Sequence, residues 1–363
     1  MTYLVYLVVI FTFIQLLIVL VNLFFQEKLN DINNSFNSLV SVLIPARNEE
    51  LNIAPLLRDL QQQDYANLEI LVFDDQSTDN TNEIVKQFMD HDSRIKLMKS
   101  TVLPNGWLGK NYACHEMSKQ AKGKYFLFLD ADVRLNRDII IRSIAKAEKY
   151  KLGLLSIFPL QQMETLGERI TVPNMNFILI SLLPLILVRK TKYQSLAAAN
   201  GQFMLFQPDN YKLISPHEKM KANKVEDIEI ARYYKKLNIK IACMTGDETI
   251  TCRMYHGFKK SVNGFSKNVI NFFGGWFILA YLFWMITTLG IVIVYLGTDT
   301  SSFVLYVVLL CIIRILISTI SKQKTLTNLV FAIPQQLSLG IILIKAGISN
   351  FKKEYRWKGR TIS

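Results

Sequence analysis

The feature that most constrains this chain is the separation of its apolar and charged residues into different segments. Residues 1–26 contain no charged side chain and consist largely of Leu, Val, Ile and Phe. About 20 such residues are enough for a helix to cross a bilayer. The run is longer than a signal peptide core, and it has neither a basic stretch before it nor a small-residue cleavage site after it. The sequence therefore predicts an uncleaved transmembrane anchor at residues 1–26.

A second membrane region is predicted near the C-terminus, at residues 269–350. It contains two apolar stretches that are long enough to cross a bilayer, residues 269–296 and 303–320. A further apolar stretch, residues 326–344, is interrupted by Pro334. Two arrangements stay open for it: a third span of this region, or a re-entrant hairpin bent at the proline.

Basic residues indicate how the chain is oriented in the membrane. Residues 321–324 and the tail, residues 351–363, are rich in Lys and Arg, which mark the cytoplasmic side of a multi-pass protein. Both segments can be cytoplasmic only if residues 326–344 return to the side they left. We therefore expect a cell-membrane protein whose polar domain and tail are cytoplasmic.

The net charge of the chain is +13, from 42 Lys and Arg against 29 Asp and Glu. Such an excess is also typical of nucleic-acid-binding proteins. Here it lies beside apolar segments, which favours anionic membrane lipids as its partners. No nucleic-acid partner is predicted.

Residues 38–265 hold most of the polar residues and form the predicted soluble domain. Strand patterns alternate there with helix patterns. The strands are Leu39–Ile44, Leu68–Phe73, Ile95–Met98 and Tyr125–Leu129, and the helices are Asn48–Gln63, Asn80–Met89 and Lys110–Ala121. This alternation predicts an α/β fold with a mostly parallel sheet covered by helices on both faces. In such sheets ligands bind beyond the carboxyl ends of the strands.

Acidic side chains follow three of these strands directly. They are Glu49 and Glu50, Asp74 and Asp75, and Asp130 and Asp132. Carboxylates gathered at one sheet edge repel one another unless a cation holds them, and Mg²⁺ usually takes one or two carboxylates together with substrate phosphates. The sequence thus predicts a metal-bound phosphorylated substrate. The glycine fingerprints of dinucleotide-binding and P-loop proteins do not follow the first strand.

Six short motifs occur in order along this domain. They are Pro45-Ala-Arg-Asn-Glu-Glu50, Asp74-Asp-Gln-Ser-Thr-Asp79, Gly109-Lys-Asn111, Asp130-Ala-Asp132, Asn200-Gly-Gln-Phe-Met204 and Val225-Glu-Asp227. With them the chain resembles inverting family 2 glycosyltransferases of the GT-A fold. Within that family it is similar to the membrane-anchored group of bacterial carotenoid (4,4'-diaponeurosporenoate) glycosyltransferases and hopanoid-associated relatives. Three further segments strengthen the closer match: Arg253-Met-Tyr255, Gly264-Phe-Ser-Lys-Asn268 and Trp357-Lys-Gly-Arg360.

The resemblance implies a nucleotide diphosphate-sugar donor, expected to be UDP-glucose, and a divalent cation, Mg²⁺ or Mn²⁺. The matching positions assign Asp130 and Asp132 to the metal. Donor contacts fall on Pro45, Arg47, Glu49, Asp74, Asp75, Lys110 and Asp130. Structural alternatives stay open: one of Asp74 and Asp75 is also suited to cap the next helix, and Arg47 and Lys110 are also compatible with solvent-facing positions.

On the acceptor side, the resemblance makes Asp227 the catalytic base of the inverting step. If the acceptor is a carboxylate, no strong base is needed and Asp227 mainly positions the acceptor. The residues assigned to the acceptor are Gly201, Gln202, Arg253 and His256. His256 is equally compatible with an exposed surface position. Residues 172–188 are apolar but contain two prolines, which fits an interfacial helix or a buried core helix.

The expected function is the transfer of a single sugar to a lipid-like acceptor, such as a carotenoid acid or another terpenoid. Polyprenyl phosphate and glycerolipids are the alternative acceptors. A polysaccharide synthase is disfavoured, because the Q-x-x-R-W motif of processive family members is missing where Gly264–Asn268 stand. The non-enzymatic alternative is a membrane scaffold with a degenerate transferase domain, although such a domain would be expected to lose the carboxylates retained here.

Overall fold

The computed structural model describes residues 1–29, 36–100 and 102–352, together with the backbone of residues 355–357 and 360–362. The tail's two short strands, β11 (Tyr355–Trp357) and β12 (Arg360–Ile362), pair antiparallel. The side chains from residue 352 onward lie outside the described residues, and with them the side chains of the Trp357–Arg360 motif in the predicted basic tail at 351–363.

A seven-stranded sheet forms the centre of the polar domain. Its strands lie in the order β3-β2-β1-β4-β8-β6-β9, and only β8 runs antiparallel to its neighbours. Most of these strands are continuous apolar runs because helices cover both faces of the sheet. Their bounds are β1 Val40–Ala46, β2 Leu68–Asp74, β3 Ile95–Lys99, β4 Tyr125–Leu129, β6 Leu154–Phe158, β8 Phe203–Phe206 and β9 Ile241–Thr245. The predicted mostly parallel α/β sheet is confirmed.

The helices of this domain pack on the two faces of the sheet and enclose two apolar clusters. They are α2 Ile53–Gln61, α3 Thr81–Met89, α4 Gly109–Gln120, α5 Ile139–Tyr150, α9 Pro208–Ile214, α10 Pro216–Lys219 and α11 Glu226–Lys236. The prediction that a helix starts at Asn48 is wrong. Asn48 has a φ of 53°, and the Glu49 N–H donates to Thr81 Oγ1 (2.8 Å), so this stretch is a loop tied to α3.

A small second sheet, ordered β5-β10-β7, lies beside the end of β4. Its strands are β5 Val133–Leu135, β7 Leu160–Gln161 and β10 Ile250–Cys252. Because β10 pairs with β5, the segment that follows Cys252 is brought back toward the Asp130–Asp132 turn.

Short helices connect the polar domain to the long apolar helices. They are α6 Leu166–Thr171, α7 Pro173–Leu182, α8 Leu185–Lys190 and α12 Phe258–Asn268, with 3₁₀ turns at Gln194–Leu196 and Val269–Phe273. The apolar stretch at 172–188 is thus two helices, and most of α7 is buried. Asn22 near the end of the first helix donates to Ile180 O (2.8 Å) and Leu183 O (2.9 Å), which fixes this pair of helices against it.

Four helices in the described part of the chain are long and apolar enough to cross a membrane. They are α1 Thr2–Phe24, α13 Phe277–Gly297, α14 Thr300–Ile320 and α16 Ala332–Lys352, of which Ala332–Phe351 is the apolar part. The second of these starts at Phe277 rather than at residue 269. Gly274 and Gly275 have φ values of 67° and 87°, and this left-handed pair separates the preceding 3₁₀ turn from the helix.

The segment after α14 bends at a different residue from the one predicted. A short helix, α15 (Thr325–Val330), ends directly before Phe331, and Pro334 lies in the first turn of α16, where the missing N–H of proline is tolerated. Both ends of this segment lie toward the polar domain. Ile320 O accepts from Gln26 Nε2 (3.0 Å), and Lys345 donates to Asn263 of α12.

The direction of α16 follows from its contacts with α13. Tyr281 Oη donates to Leu343 O (3.1 Å), whereas Trp284, further along α13, donates to Gln336 O (2.9 Å). The two helices are therefore antiparallel. Since α13 starts at the domain side, the beginning of α16 lies deeper among the long helices than its end.

Candidate active site

A cleft of about 360 Å³ opens at the carboxyl ends of the central strands. Its walls come from the loop after β1, the Asp130–Asp132 turn, the start of α4, the segment before β8, the start of α11 and one face of α12. Topology explains this meeting, because the ends of neighbouring parallel strands share one edge of a sheet. The predicted residues that line this cleft are Pro45, Arg47, Glu49, Lys110, Asp130, Asp132, Gly201, Gln202 and Asp227.

The Asp130–Asp132 turn follows β4 and is held by the antiparallel neighbour β8. The Asp130 N–H donates to Gln202 O (3.2 Å), and Gln202 Nε2 lies 3.4 Å from Asp132 Oδ1. Burial raises the pKa of Asp132 above its ordinary range, and the charges of Asp130 and Glu49 add to this rise. Asp132 is therefore a poorly solvated carboxyl group that a nearby cation would stabilise as its anion.

Lys110 is the cation that the chain itself places at this site. Its Nζ lies 2.7 Å from Asp130 Oδ1 and 3.3 Å from Glu226 Oε1. Burial lowers the pKa of Lys110, but the two carboxylates more than reverse this and leave the pKa well above its usual value. Lys110 is thus a fixed positive charge between the Asp130 turn and α11, and it does not lie in open solvent.

The neighbouring Asn111 attaches the loop before α11 to α4. Its Nδ2 donates to Met220 O (2.7 Å) and Asn223 O (3.0 Å). The loop ends at Val225, where α11 begins and brings Glu226 and Asp227 to the cleft. The Gly109-Lys110-Asn111 motif therefore has two structural effects: it supplies the ammonium group and it positions the helix that carries Asp227.

Asp227 lies at the first turn of α11, with both carboxylate oxygens hydrogen-bonded to the backbone. Oδ2 accepts from the Gly201 N–H (2.8 Å) and Oδ1 accepts from the Ile228 N–H (2.8 Å). Burial raises the pKa of Asp227 to about 7, helped by the Glu226 carboxylate and opposed by Lys110 and the two N–H groups. A carboxyl group with such a pKa can exchange a proton near neutral pH.

Gly201 allows the backbone to approach these side chains. A Cβ at this position would lie 2.9 Å from Lys110 Nζ and 3.6 Å from Asp227 Oδ2. Gln202 is buried, and its Nε2 also lies 2.7 Å from Cys252 Sγ. Two of the four residues predicted for acceptor binding therefore have different positions: Gly201 lies beside Lys110 and Asp227, and Gln202 contacts the Asp130–Asp132 turn.

Asp74 and Asp75 do not line the cleft in the described structure. Asp74 accepts from the Ser77 N–H (3.0 Å) and from Asn82 Nδ2 (3.0 Å), which stabilises the turn before α3. Asp75 is 2% exposed and lies beneath Arg47, whose NH1 group is 3.9 Å from Asp75 Oδ2. Arg47 lines the cleft and so connects Asp75 to it.

Arg253 and His256 lie away from the cleft lining. Arg253 forms ion pairs with Glu164 (2.5 Å) and with Glu168 (3.0 Å), and the side chain of Glu168 is fully buried. His256 lies on an exposed bend. Met254 and Tyr255, between these two residues, line the cleft instead.

Sequence inspection assigned no functional role to Glu226, Tyr255 or Lys267, all of which line this cleft. Glu226 forms an ion pair with Lys110 (3.3 Å). Tyr255 packs against Gly264 so closely that a Cβ on the glycine would overlap its ring. The helical spacing of Gly264, Lys267 and Asn268 is the sequence signal that could have placed one face of α12 at the cleft, because all three residues line it.

The side chains present fit a divalent cation only in part. Asp130 and Asp132 offer two hard oxygen ligands, a set that Mg²⁺ or Mn²⁺ completes with phosphate oxygens and water. Within the described residues, no group of three His, Cys, Asp or Glu side chains could hold a metal ion by itself. Burial and the neighbouring carboxylates raise the pKa of Asp132, and a cation bound at this turn would counteract that rise.

Comparison with known proteins bears on this arrangement. The family model described as "Glycosyl transferase family 2" matches residues 41–211. These residues form a family 2 glycosyltransferase domain. The predicted resemblance to this family is confirmed, and the matched range includes the Asp130–Asp132 turn and Lys110, whereas Asp227 lies beyond it.

Two relatives of the family 2 domain belong to the carotenoid group that the sequence predicted. A 4,4'-diaponeurosporenoate glycosyltransferase of Staphylococcus haemolyticus is 30% identical over 237 residues, which are 63% of this chain and 60% of that protein. The enzyme of the same name from Staphylococcus aureus strain USA300 is 24% identical over 262 residues, which are 69% of this chain and 65% of that protein. The chain thus aligns with slightly less than two thirds of each relative.

A solved structure shares the fold over nearly the whole length. The mannosyltransferase PcManGT from Pyrobaculum calidifontis, determined in complex with GDP-Man and Mn²⁺, has a TM-score of 0.57 and 13% sequence identity. The match covers 96% of this chain and 99% of that chain. At this identity the likeness concerns the fold, and it confirms the GT-A architecture.

Proposed function

We propose that this protein is a membrane-bound inverting glycosyltransferase that transfers one sugar from a nucleotide diphosphate-sugar to a lipid-like acceptor. The observation that carries the proposal is the chain of contacts across one cleft: Asp130 to Lys110, Lys110 to Glu226, and Asp227 beside them. UDP-glucose is the expected donor and a carotenoid acid or other terpenoid the expected acceptor. The carotenoid-acid glycosyltransferases among its relatives support this choice.

The donor half of the cleft is suited to a diphosphate. Asp130 and Asp132 would hold Mg²⁺ or Mn²⁺, which neutralises the charge that develops on the leaving diphosphate. Lys110 provides a point charge for the same phosphates. The nucleoside is expected to bind on the side of the cleft formed by Pro45, Arg47 and Glu49. Asp75 lies beneath Arg47, and Asp74 lies in the adjoining turn.

The acceptor half contains Asp227. With a hydroxyl acceptor, Asp227 takes the proton as the oxygen attacks the anomeric carbon from the face opposite the diphosphate. A pKa of about 7 lets the same group release that proton afterwards. With a carboxylate acceptor no proton is transferred. Asp227, whose carboxylate is held in a fixed orientation by the Gly201 N–H, then positions the acceptor.

The long helices support a membrane location. In this proposal α1, α13 and α14 cross the bilayer, and the polar domain and tail are cytoplasmic. The segment from α15 to α16 enters and leaves on that same side, as supported by the contacts of Ile320 and Lys345 and by the antiparallel packing of α16 on α13. This arrangement keeps both basic segments on the cytoplasmic side.

A transfer assay tests the proposed function. Membranes containing wild type, Asp132→Asn or Asp90→Asn are incubated with Mn²⁺ and labelled UDP-glucose, other UDP-sugars or GDP-mannose. Label is then counted in an organic extract and in the residual polymer. We expect label in the organic extract for wild type and for Asp90→Asn, which changes an exposed acid at the end of α3. Asp132→Asn should lower it on the order of a hundredfold, because metal binding is weakened.

Two results would contradict the proposal. Label that appears in the polymer alone would indicate a polysaccharide synthase. Wild-type membranes that give no label, from a protein that also shows no Mn²⁺-dependent UDP binding after purification, would favour a scaffold with a degenerate domain. Mass spectrometry of the labelled lipid distinguishes a terpenoid from polyprenyl phosphate and from a glycerolipid.

A further inference from the structure

Helix α12 presents to the cleft a lysine that has no counter-charge. Lys267 is partly buried and lines the cleft. Among the residues that the structure describes, Lys267 has no hydrogen-bond acceptor and no ion-pair partner. Lys110, on the other wall, already lies between Asp130 and Glu226. The acidic groups near Lys110 are therefore compensated, whereas the charge of Lys267 is not.

A second ammonium group lies beside the first. Lys345 of α16 donates to Asn263 Oδ1, and Asn263 and Lys267 are four residues apart on α12, so they share one face of the helix. Burial lowers the pKa of Lys267, and the nearby charge of Lys345 lowers it further. Two neighbouring ammonium groups without a carboxylate are unfavourable by themselves and become favourable when an anion lies between them.

The positions of Lys267 and Lys345 indicate that an anion would come from the side of the long apolar helices. Lys345 lies on α16, which is apolar enough to be a candidate membrane span, whereas Arg47 and Asp75 lie on the loops of the polar domain. Beside α12 the cleft also continues into a smaller recess of about 70 Å³. Its walls are largely apolar, from Val172, Met175, Phe265 and Phe272, and it meets the main cleft at Asp227 and Asn268.

We propose that Lys267, together with the neighbouring Lys345, binds the anionic head group of the acceptor, a carboxylate or a phosphate, while the first carbons of its apolar chain enter the adjoining recess. This inference rests on the proposed function and specifies its acceptor as an anion. Carboxylate and phosphate share the chemistry that two ammonium groups recognise. A neutral alcohol of the same chain would gain only the apolar contacts.

The reaction that follows needs no additional reactant. An oxygen of the acceptor anion attacks the anomeric carbon and forms the new C–O bond, while the bond from that carbon to the donor diphosphate breaks. The electron pair of the broken bond leaves with the nucleoside diphosphate. The product is a glycosyl ester if the head group is a carboxylate and a glycosyl phosphodiester if it is a phosphate monoester.

Binding measurements on the purified full-length protein in detergent, with UDP and Mn²⁺ present, test the inference. The probes are geranylgeranoic acid, geranylgeranyl phosphate and geranylgeraniol, which share one apolar chain. We expect wild type to bind one or both anions about tenfold or more tightly than the alcohol. Lys267→Gln and Lys345→Gln should reduce this preference toward the level of the alcohol, and Lys267→Arg should retain most of it.

Lys260→Gln is the matched control, because Lys260 lies on the same helix but is exposed. It should bind all three probes as wild type does, and no variant should change the Kd of UDP. Equal binding of the three probes by wild type, or a preference that survives both glutamine variants, would overturn the inference. A weaker affinity for UDP in Lys267→Gln would also overturn it, because the lysine would then belong to the donor site.

Transfer measured in parallel separates this inference from the proposed function. If wild type transfers sugar to geranylgeraniol as well as to the anions, the protein is a glycosyltransferase and the anion site does not exist. If the anions bind selectively but no donor yields any product, the proposed function fails while the two lysines still form an anion site. Whichever anion binds and reacts better identifies the acceptor as a terpenoid acid or a polyprenyl phosphate.

Discussion

The ammonium group of Lys110 lies 2.7 Å from Asp130 Oδ1, so the chain itself supplies a cation to the first carboxylate of the Asp130-Ala131-Asp132 turn. A divalent metal ion that binds this carboxylate must share it with Lys110. The donor diphosphate resolves this competition, since it adds negative charge that both cations can approach. Metal affinity and donor affinity are therefore expected to depend on each other at this site.

Lys110→Gln tests this dependence. We expect the variant to bind Mn²⁺ several-fold more tightly than wild type when no donor is present, because a competing positive charge is removed. Its transfer rate should nevertheless fall on the order of a hundredfold, because the diphosphate loses a charge-assisted contact. Titration of free Mn²⁺ by electron paramagnetic resonance gives the first quantity. Lys119→Gln, an exposed lysine of the same helix, should change neither, and weaker Mn²⁺ binding in Lys110→Gln would contradict the prediction.

Gly201→Ala is expected to lower activity without unfolding the protein. The new Cβ would lie 2.9 Å from Lys110 Nζ, and the end of a flexible lysine can move away from it. The displaced ammonium group no longer sits between Asp130 and Glu226, so we expect kcat to fall about tenfold or more. Thermal unfolding should remain close to that of wild type. The double variant with Lys110→Gln should lose little beyond Lys110→Gln alone, because both changes remove the same contact.

The pKa of Asp227 predicts a dependence of stability on pH. In the folded protein this pKa is about 7, well above its ordinary value of 3.8. Between these two values the folded state keeps a proton that the unfolded state has lost, so the contribution of Asp227 to stability decreases as the pH rises through about 7. Asp227→Asn removes this dependence. In buffer with EDTA, we expect the variant to melt at a higher temperature than wild type at about pH 8, with the difference absent or reversed at about pH 4.

Melting curves of wild type, Asp227→Asn and Asp90→Asn at both pH values check this prediction. Asp90 is exposed, and its replacement should leave the pH dependence of wild type unchanged. A difference between Asp227→Asn and wild type that is the same at both pH values would show that the Asp227 carboxyl group is solvated in the folded protein.

The parts of the structure that sequence predicted well depend on local patterns. Asp130 and Asp132 could be found because a buried apolar strand ends directly before them, and strand ends of a parallel sheet share one edge. The role of Lys267 could not be found in this way, since it depends on the packing of α12 over the cleft and on Asn263 holding Lys345 of α16. Such contacts join distant parts of the chain and leave no local signature.

The same limitation explains why the predicted and observed positions of Arg253 differ. The family resemblance assigned it to the acceptor site, whereas its partners are Glu164 and Glu168 of the segment before and within α6. Glu168 also accepts from the backbone N–H groups of Glu164 and Gly257. Arg253 therefore fastens α6 to the segment that carries Met254 and Tyr255 into the cleft.

Arg253→Gln should accordingly reduce stability more than acceptor binding. Burial raises the pKa of Glu168, but Arg253 and the N–H groups outweigh this and bring it to about 2. Loss of the guanidinium leaves a buried carboxylate with hydrogen bonds but no counter-charge, which we expect to lower the free energy of unfolding by about 2 to 3 kcal/mol. Arg253→Lys should restore part of the loss. A raised acceptor KM in a variant that melts like wild type would instead assign Arg253 to the acceptor site.

Glu27 connects the end of the N-terminal helix to the polar domain. Its carboxylate lies 2.6 Å from Lys146 Nζ and 2.6 Å from Arg189 Nε, and its side chain is 5% exposed. Burial raises the pKa of Glu27, but Lys146 and Arg189 outweigh this and leave it below the ordinary value of 4.5. The ion pairs therefore stabilise the protein at neutral pH, and this contribution is lost as the pH falls through the lowered pKa.

Glu27→Gln leaves two cations without their carboxylate, one of them almost fully buried. We expect the free energy of unfolding to fall by about 3 kcal/mol at neutral pH, and the difference from wild type to shrink as the pH is lowered toward the pKa of Glu27. The double variant Glu27→Gln with Lys146→Met should recover much of this loss, because the buried unpaired ammonium is removed as well. Thermal unfolding in detergent measures both effects. A double variant that is less stable than Glu27→Gln would show that Lys146 stabilises the fold through contacts other than this ion pair, such as its hydrogen bond to Lys28 O (2.8 Å).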